Sequence, residues 1–239
     1  MITAIRTRFA VVRRDDDAGI TLAELLITMF LSSLVLGLVA TFFVQIARAT
    51  TSANQSRQGS SIAANIANEL SDTIRPGTSL VVSGATKPDP AVVIGMPSKV
   101  TLYTFADSVA TNVQPIRVQF EVTAANRLLE SRWVATKNAT TGLWVFPALT
   151  ATPSSTRLFP GTIVAASAAT TPETSASAPL FSYYDSQSVE IIPAATGLTL
   201  SQRESVASIR FTVRTRSEAS TTAAVVTIQN TVGLPNLGL

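Results

Sequence analysis

The stretch GITLAELLITMFLSSLVLGLVATFFVQIAR, Gly19–Arg48, decides how the rest of the chain is read. From Leu25 to Ala47 its residues are apolar or small and weakly polar, Gln45 excepted. A run of that length crosses a hydrocarbon layer of ~30 Å as a helix rising ~1.5 Å per residue. One acid, Glu24, stands at its start, and no further charge follows until Arg48. A carboxylate deep in a membrane helix is costly and calls for a partner that relieves the cost, whereas at the headgroup level it costs little. The residues of the run leave both readings of Glu24 open.

The flanks orient the segment. Arg6, Arg8, Arg13 and Arg14 precede it, which places the amino terminus in the cytoplasm and residues 49–239 outside, and Asp15, Asp16 and Asp17 weigh little in that rule. Ala47-Arg48-Ala49 offers a small-x-small site of the kind that follows a secretory signal. The apolar run is nevertheless well beyond the roughly 7–15 residues such a peptide carries. A single-pass membrane protein with a transmembrane segment over 22–47 is the expectation.

The residues just before the run carry a resemblance. Gly19-Ile20-Thr21-Leu22-Ala23-Glu24-Leu25-Leu26 resembles the class III signal of type IV prepilins, in which a short basic leader ends in Gly and a Glu occupies the fifth position after it. The resemblance implies a leader of Met1–Gly19, cleavage between Gly19 and Ile20 by a prepilin peptidase, N-methylation of Ile20, and Glu24 as the assembly contact. A free α-amino group at Ile20 and a Glu24 carboxylate would pair inside an apolar filament core, where either charge alone is expensive. The chain departs from the family in having Ile20 where Phe is usual, and acids at 15–17 where Lys or Arg is usual. The stretches PLFSYYDSQ, Pro179–Gln187, and SIRFTVRT through VVTIQN, between Ser208 and Asn230, resemble the carboxy-terminal halves of larger minor pilins and of J-type pseudopilins of type II secretion. The implied partners are other pilins or pseudopilins, the peptidase, an inner-membrane assembly platform and the membrane. The implied location is the cell membrane before processing and a surface filament after it.

Beyond the apolar run, Ile62, Ile66, Leu70 and Ile74 recur every four residues beside Ala63 and Ala67, one stripe of a helix. Arg75-Pro76-Gly77 ends it. Thr50–Ser61 between the two apolar parts is polar and holds Gly59, so it is either exposed helix or a local break. Unbroken over 20–75, the helix would be on the order of 80 Å long.

After Pro76 short strand patterns take over, at 100–105, 116–122 and 128–134, with Ala124-Ala125-Asn126 as a hairpin link and Trp144-Val145-Phe146 extending the sheet. Pro147–Pro179 is rich in Ala, Thr, Ser and Pro, with weak strands at 157–159 and 162–164. Strand patterns return at 180–184, 189–192, 208–213 and 224–229. The expected fold is α+β and pilin-like: a long amino-terminal helix packed on an antiparallel β-rich domain over 76–239.

Composition narrows function further. The chain of 239 residues is 46% apolar and 14% charged, with no cysteine and no histidine. Disulfides and thiolate metal sites are thereby excluded, and the commonest general base is missing. The net charge of +3 is mild despite a pI near 9.7. Serine nucleophiles would need a lysine base, and Lys87, Lys99 and Lys137 all stand beside turn-like residues. No catalytic set, cofactor or metal motif is read, although a calcium site built from loop oxygens stays open. Asp185, after Phe181, Tyr183 and Tyr184, reads as a turn cap beside core aromatics rather than a ligand. Arg210, Arg214 and Arg216 share parity on one strand. They read either as an exposed face with Thr212 or as a weaker candidate for nucleic-acid phosphates. The functional expectation is a non-enzymatic minor pilin or pseudopilin that primes, caps or modulates a filament serving twitching, adhesion, DNA uptake or secretion. The alternative is a membrane-anchored surface module, an adhesin or DNA receptor.

Overall fold

The computed structural model describes residues 20–106, 114–165, 178–216 and 225–235. Its first element is a helix of 53 residues, α1 (Leu22–Ile74), so the polar stretch between the two apolar parts is helix and not a break. The chain divides into two compact units, Met1–Thr51 and Ser52–Leu239.

In the first unit every described side chain is exposed, Leu22, Phe30, Leu36 and Phe43 included. The helix is long and apolar enough to cross a membrane, with a mean hydropathy of 2.3 over its best window. Its hydroxyls suit such surroundings: Thr28, Ser33, Thr41, Thr50 and Thr51 donate to the carbonyls of Leu25, Phe30, Leu38, Ile46 and Ala47. Polar side chains satisfied by their own helix lower the cost of an apolar environment.

In the second unit the expected stripe of α1 is buried: Ile62, Ala63, Ile66, Ala67, Leu70 and Ile74, joined by Gly59 and Thr73. Gly59 marks close approach. A Cβ there would meet Val226 Cγ2 at 3.3 Å, and the Gly59 carbonyl accepts from the buried Thr215 hydroxyl at 3.2 Å. The helix ends at Ile74, ahead of Pro76, and the buried Thr73 carbonyl, orphaned by that stop, accepts from Thr104 Oγ1 at 2.8 Å.

The strands are β1 (Val92–Met96), β2 (Lys99–Thr104), β3 (Ile116–Val122), β4 (Leu128–Val134), β5 (Thr136–Lys137), β6 (Trp144–Val145), β7 (Ser155–Leu158), β8 (Thr162–Ile163), β9 (Phe181–Tyr184), β10 (Glu190–Ile191), β11 (Ser208–Arg216) and β12 (Val226–Gly233). All pairings between them are antiparallel. One sheet has the order β1-β2-β3-β4-β7, the second β10-β9-β11-β12 with β8 also on β11, and β5-β6 form a separate ribbon. Trp144-Val145 therefore does not extend the first sheet as the sequence suggests, because Thr136-Lys137 pairs with it first. The β3–β4 hairpin turns through Asn126, at φ 56°, and Asn is among the residues that tolerate that region.

A single core joins the stripe of α1 to Val100, Leu102, Val118, Phe120 and Leu128 of the first sheet and to Phe181, Ile209, Phe211 and Val213 of the second. Tyr183 ties the sheets together: its hydroxyl donates toward the carbonyls of Met96 at 3.0 Å and Lys99 at 3.3 Å. Burial pushes this phenol far above its ordinary value. A short helix, α2 (Leu200–Ser205), starts from a capping box of Thr199 and Gln202.

Candidate functional site

The helix start is built from three residues. Ile20 is exposed just ahead of α1. Thr21 is the cap: its carbonyl accepts from Leu25 N–H at 3.1 Å, and its hydroxyl accepts from Glu24 N–H at 3.2 Å. An oxygen so placed satisfies a first-turn donor, and a first-turn acid is favoured by the helix dipole. Thr21-x-x-Glu24 is thus also a helix-start signature, legible from spacing and missed in favour of the processing motif. Cleavage at Gly19 falls outside the described residues.

Of the three strand arginines, Arg216 is half-buried at the end of β11, and the other two have different surroundings. Arg210 lies over the Tyr184 ring, 4.4 Å from its centroid, and its Nε donates to Thr231 Oγ1 at 3.2 Å. Arg214 is 5% exposed and its Nε donates to the Val164 carbonyl at 3.3 Å. Burial lowers its pKa from the usual guanidinium value. Thr212, between them, is 2% exposed. The expectation of an open Arg/Thr face is therefore corrected at 212 and 214. Parity put these residues on one face, but strand pattern says nothing of their neighbours on it, here Gln229 of β12, which donates to Thr212 Oγ1 at 3.1 Å, and Val164, whose carbonyl accepts from Arg214. Asp185 is the turn cap expected, its Oδ1 accepting from the N–H groups of Gln187 and Val189 at 2.9 and 2.8 Å. Lys99 opens β2 and pairs with Glu121 at 3.1 Å.

Two charged clusters were not legible in the sequence. Glu69, on the outer half of α1, holds Arg132 of β4 and Arg157 of β7, each at 2.8 Å. Arg132 also reaches Glu130 at 2.5 Å. Glu130 is 1% exposed, and its Oε2 has no hydrogen-bond partner. Burial raises its carboxyl above the usual range, with Arg132 pulling the other way. Arg117 of β3 sits between Trp133 and Phe146, 5.1 and 5.5 Å from the ring centroids, and donates to the Pro147 carbonyl at 2.5 Å. Burial lowers its pKa as well. Each cluster joins residues distant in the chain, and both act as fasteners, one between helix and sheet, the other between the sheet and the 144–147 segment.

No protein-family model and no curated protein matches the chain. The fold defines a class of architecture: a pilin-like α+β layout, with a long apolar amino-terminal helix followed by a domain of antiparallel sheets.

Proposed function

We propose that this protein is a type IV prepilin-like structural subunit, a minor pilin or J-type pseudopilin-like component that primes, caps or modulates a filament and performs no catalysis. The observation that carries the reading is the helix start: a Thr21-capped turn bearing Glu24, directly ahead of a wholly exposed apolar helical segment, in a helix whose outer half is a core element of a β-domain.

The chemistry follows from those residues. Cleavage after Gly19 would leave an α-ammonium at Ile20, one helical turn ahead of Glu24. Glu24 is exposed in the first turn of α1, and its carboxylate would pair with the ammonium of a neighbouring subunit. Two opposite charges moved together into an apolar bundle cost far less than either alone. The apolar helix then exchanges lipid contacts for contacts with other helices, and the pair fixes the register of each addition.

Intact mass of the membrane-associated protein, produced with and without a prepilin peptidase, tests this. The expected species begins at Ile20, with or without one added methyl, and appears only with the peptidase. A chain retaining Met1–Gly19 under both conditions, or one beginning near Thr50, overturns the reading. A DNA-gripping surface receives less support, since Arg214 is buried and bonded to its own domain.

A further inference from the structure

Glu130 is a half-satisfied acid. Arg132 takes its Oε1, while among the described residues Oε2 is the one buried carboxylate oxygen without a hydrogen-bond partner. A buried charged oxygen left unpaired is destabilising and calls for a donor that the fold itself does not supply. The nearest source stands directly across the ladder. Arg157 of β7 is the register partner of Glu130 on β4, yet its Nη1 goes to Glu69 at 2.8 Å and its guanidinium lies 4.6 Å from the centroid of the Phe159 ring. The pair across the two strands stays open.

A cleft of about 280 Å³ lies at this opening, lined by Glu130, Arg132, Ser155, Thr156 and Arg157. Register puts Glu130, Arg132, Ser155 and Arg157 on one face of the β4–β7 ladder, the face on which Glu69 reaches both arginines. Ser155 and Thr156 are exposed, and their hydroxyls have no hydrogen-bond partner among the described residues. Oε2 itself has little access to solvent, and Arg157, whose side chain is 55% exposed, is the lining group with room to swing aside.

The lining sets the chemistry of an occupant. All five lining side chains are polar, so an apolar molecule gains nothing by entering. Glu69 and Glu130 offset Arg132 and Arg157. An anion would therefore face Glu130, and a metal or organic cation would face the two arginines. What suits the cleft is a neutral molecule that donates at one point and accepts at the next, as adjacent hydroxyl groups do. The volume falls just below the ~300–1,000 Å³ of ordinary small-molecule sites, which leaves room for one sugar ring.

We propose that this cleft binds a single monosaccharide unit, with Glu130 accepting from one ring hydroxyl while Arg157 and Ser155 donate to its neighbour. The proposal stands apart from filament assembly, since it uses only the face between β4 and β7.

The test uses the full chain in micelles of a detergent without a sugar headgroup, titrated with glucose, galactose, mannose and N-acetylglucosamine and read by saturation-transfer NMR. At least one sugar is expected to bind at millimolar concentration, and inorganic phosphate and glycine are expected not to compete with it. Methyl glycosides separate the two sources of such a unit: equal binding of sugar and glycoside supports the end of a glycan chain, and loss of binding on methylation supports the free sugar. Ser155→Leu, at an exposed strand position, fills the cleft while keeping every charge around it, and Glu130→Gln replaces the acceptor; each is expected to lower affinity at least tenfold. Should Glu130→Gln fail to fold by circular dichroism, Ser155→Leu carries the comparison. Absence of binding by all four sugars, binding that a folded variant keeps, or phosphate or glycine displacing the sugar would each overturn the proposal. None of these outcomes depends on peptidase processing, so this proposal and the filament reading fail separately.

Discussion

Leu70→Ala measures how firmly the outer half of α1 is fastened to the β-domain. Leu70 is 0% exposed and sits in the cluster that joins helix and both sheets. The substitution removes three carbons, and at about 0.8 kcal/mol per buried methylene the transfer loss is about 2.4 kcal/mol. The neighbours are strands fixed by their ladders and cannot close the gap, so a cavity term raises the total to about 3–5 kcal/mol. Leu34→Ala, the same chemistry in the exposed apolar segment, should leave domain stability within about 0.5 kcal/mol. Denaturant unfolding of the full chain in micelles, followed by fluorescence of the buried Trp133, reads both. A Leu70→Ala loss below about 1 kcal/mol, or equal losses for the two variants, would refute the claim that the halves of α1 have different environments.

Gly161→Ala tests backbone geometry. Gly161 has φ 85°, and a Cβ there would stand 2.9 Å from Ile62 Cγ2, so a loss of about 1–3 kcal/mol is expected from the conformation alone; an unchanged midpoint would contradict it. Glu130→Gln tests the buried carboxylate. Its folded pKa is raised above the unfolded value, chiefly by burial, so the stability it contributes is full below the unfolded pKa and is lost as pH rises through the raised value. The variant should therefore gain on the parent as pH rises from acid to neutral, and parallel pH–stability curves would refute the assignment. Glu24→Val is expected to leave peptidase processing intact while abolishing filament incorporation, read by intact mass and by shear-fraction immunoblot; normal incorporation would remove Glu24 from the assembly contact.

The parts of the fold that were legible are those where period and environment agree. The four-residue spacing of Ile62, Ile66, Leu70 and Ile74 marked the buried stripe of α1, and the pattern over 116–122 marked β3 with its bounds. Strand β1 escaped because Gly95 and the flanking prolines Pro90 and Pro97 look like turn residues. In the fold Gly95 is a close-approach position, where a Cβ would lie 2.5 Å from Leu198 Cδ1. Helix α2 is too short, at six residues, to show a period. Polar positions misled in one direction: Thr212 and Arg214 read as part of an exposed face, yet both are buried, as are Arg117 and Gln119 of β3. The groups beside them, Trp133 and Phe146 for Arg117 and Val164 for Arg214, come from elsewhere in the chain. At the helix start the sequence was ambiguous for a different reason. Thr21 and Glu24 satisfy a helix cap and a processing motif with the same spacing.

The way the outer half of α1 is fastened to the sheets also has a mechanical side. Tension applied through Ser52 acts along the helix axis, and the fasteners that resist it are spread along that axis: Gly59 to Thr215, Glu69 to Arg132 and Arg157, Ser71 to Asn230, Thr73 to Thr104. Contacts spread along the pulling direction are loaded in shear and share the force, whereas contacts at one end would open in sequence like a zipper. With no cysteine to cross-link it, the domain would resist a pull through this distribution of non-covalent bonds.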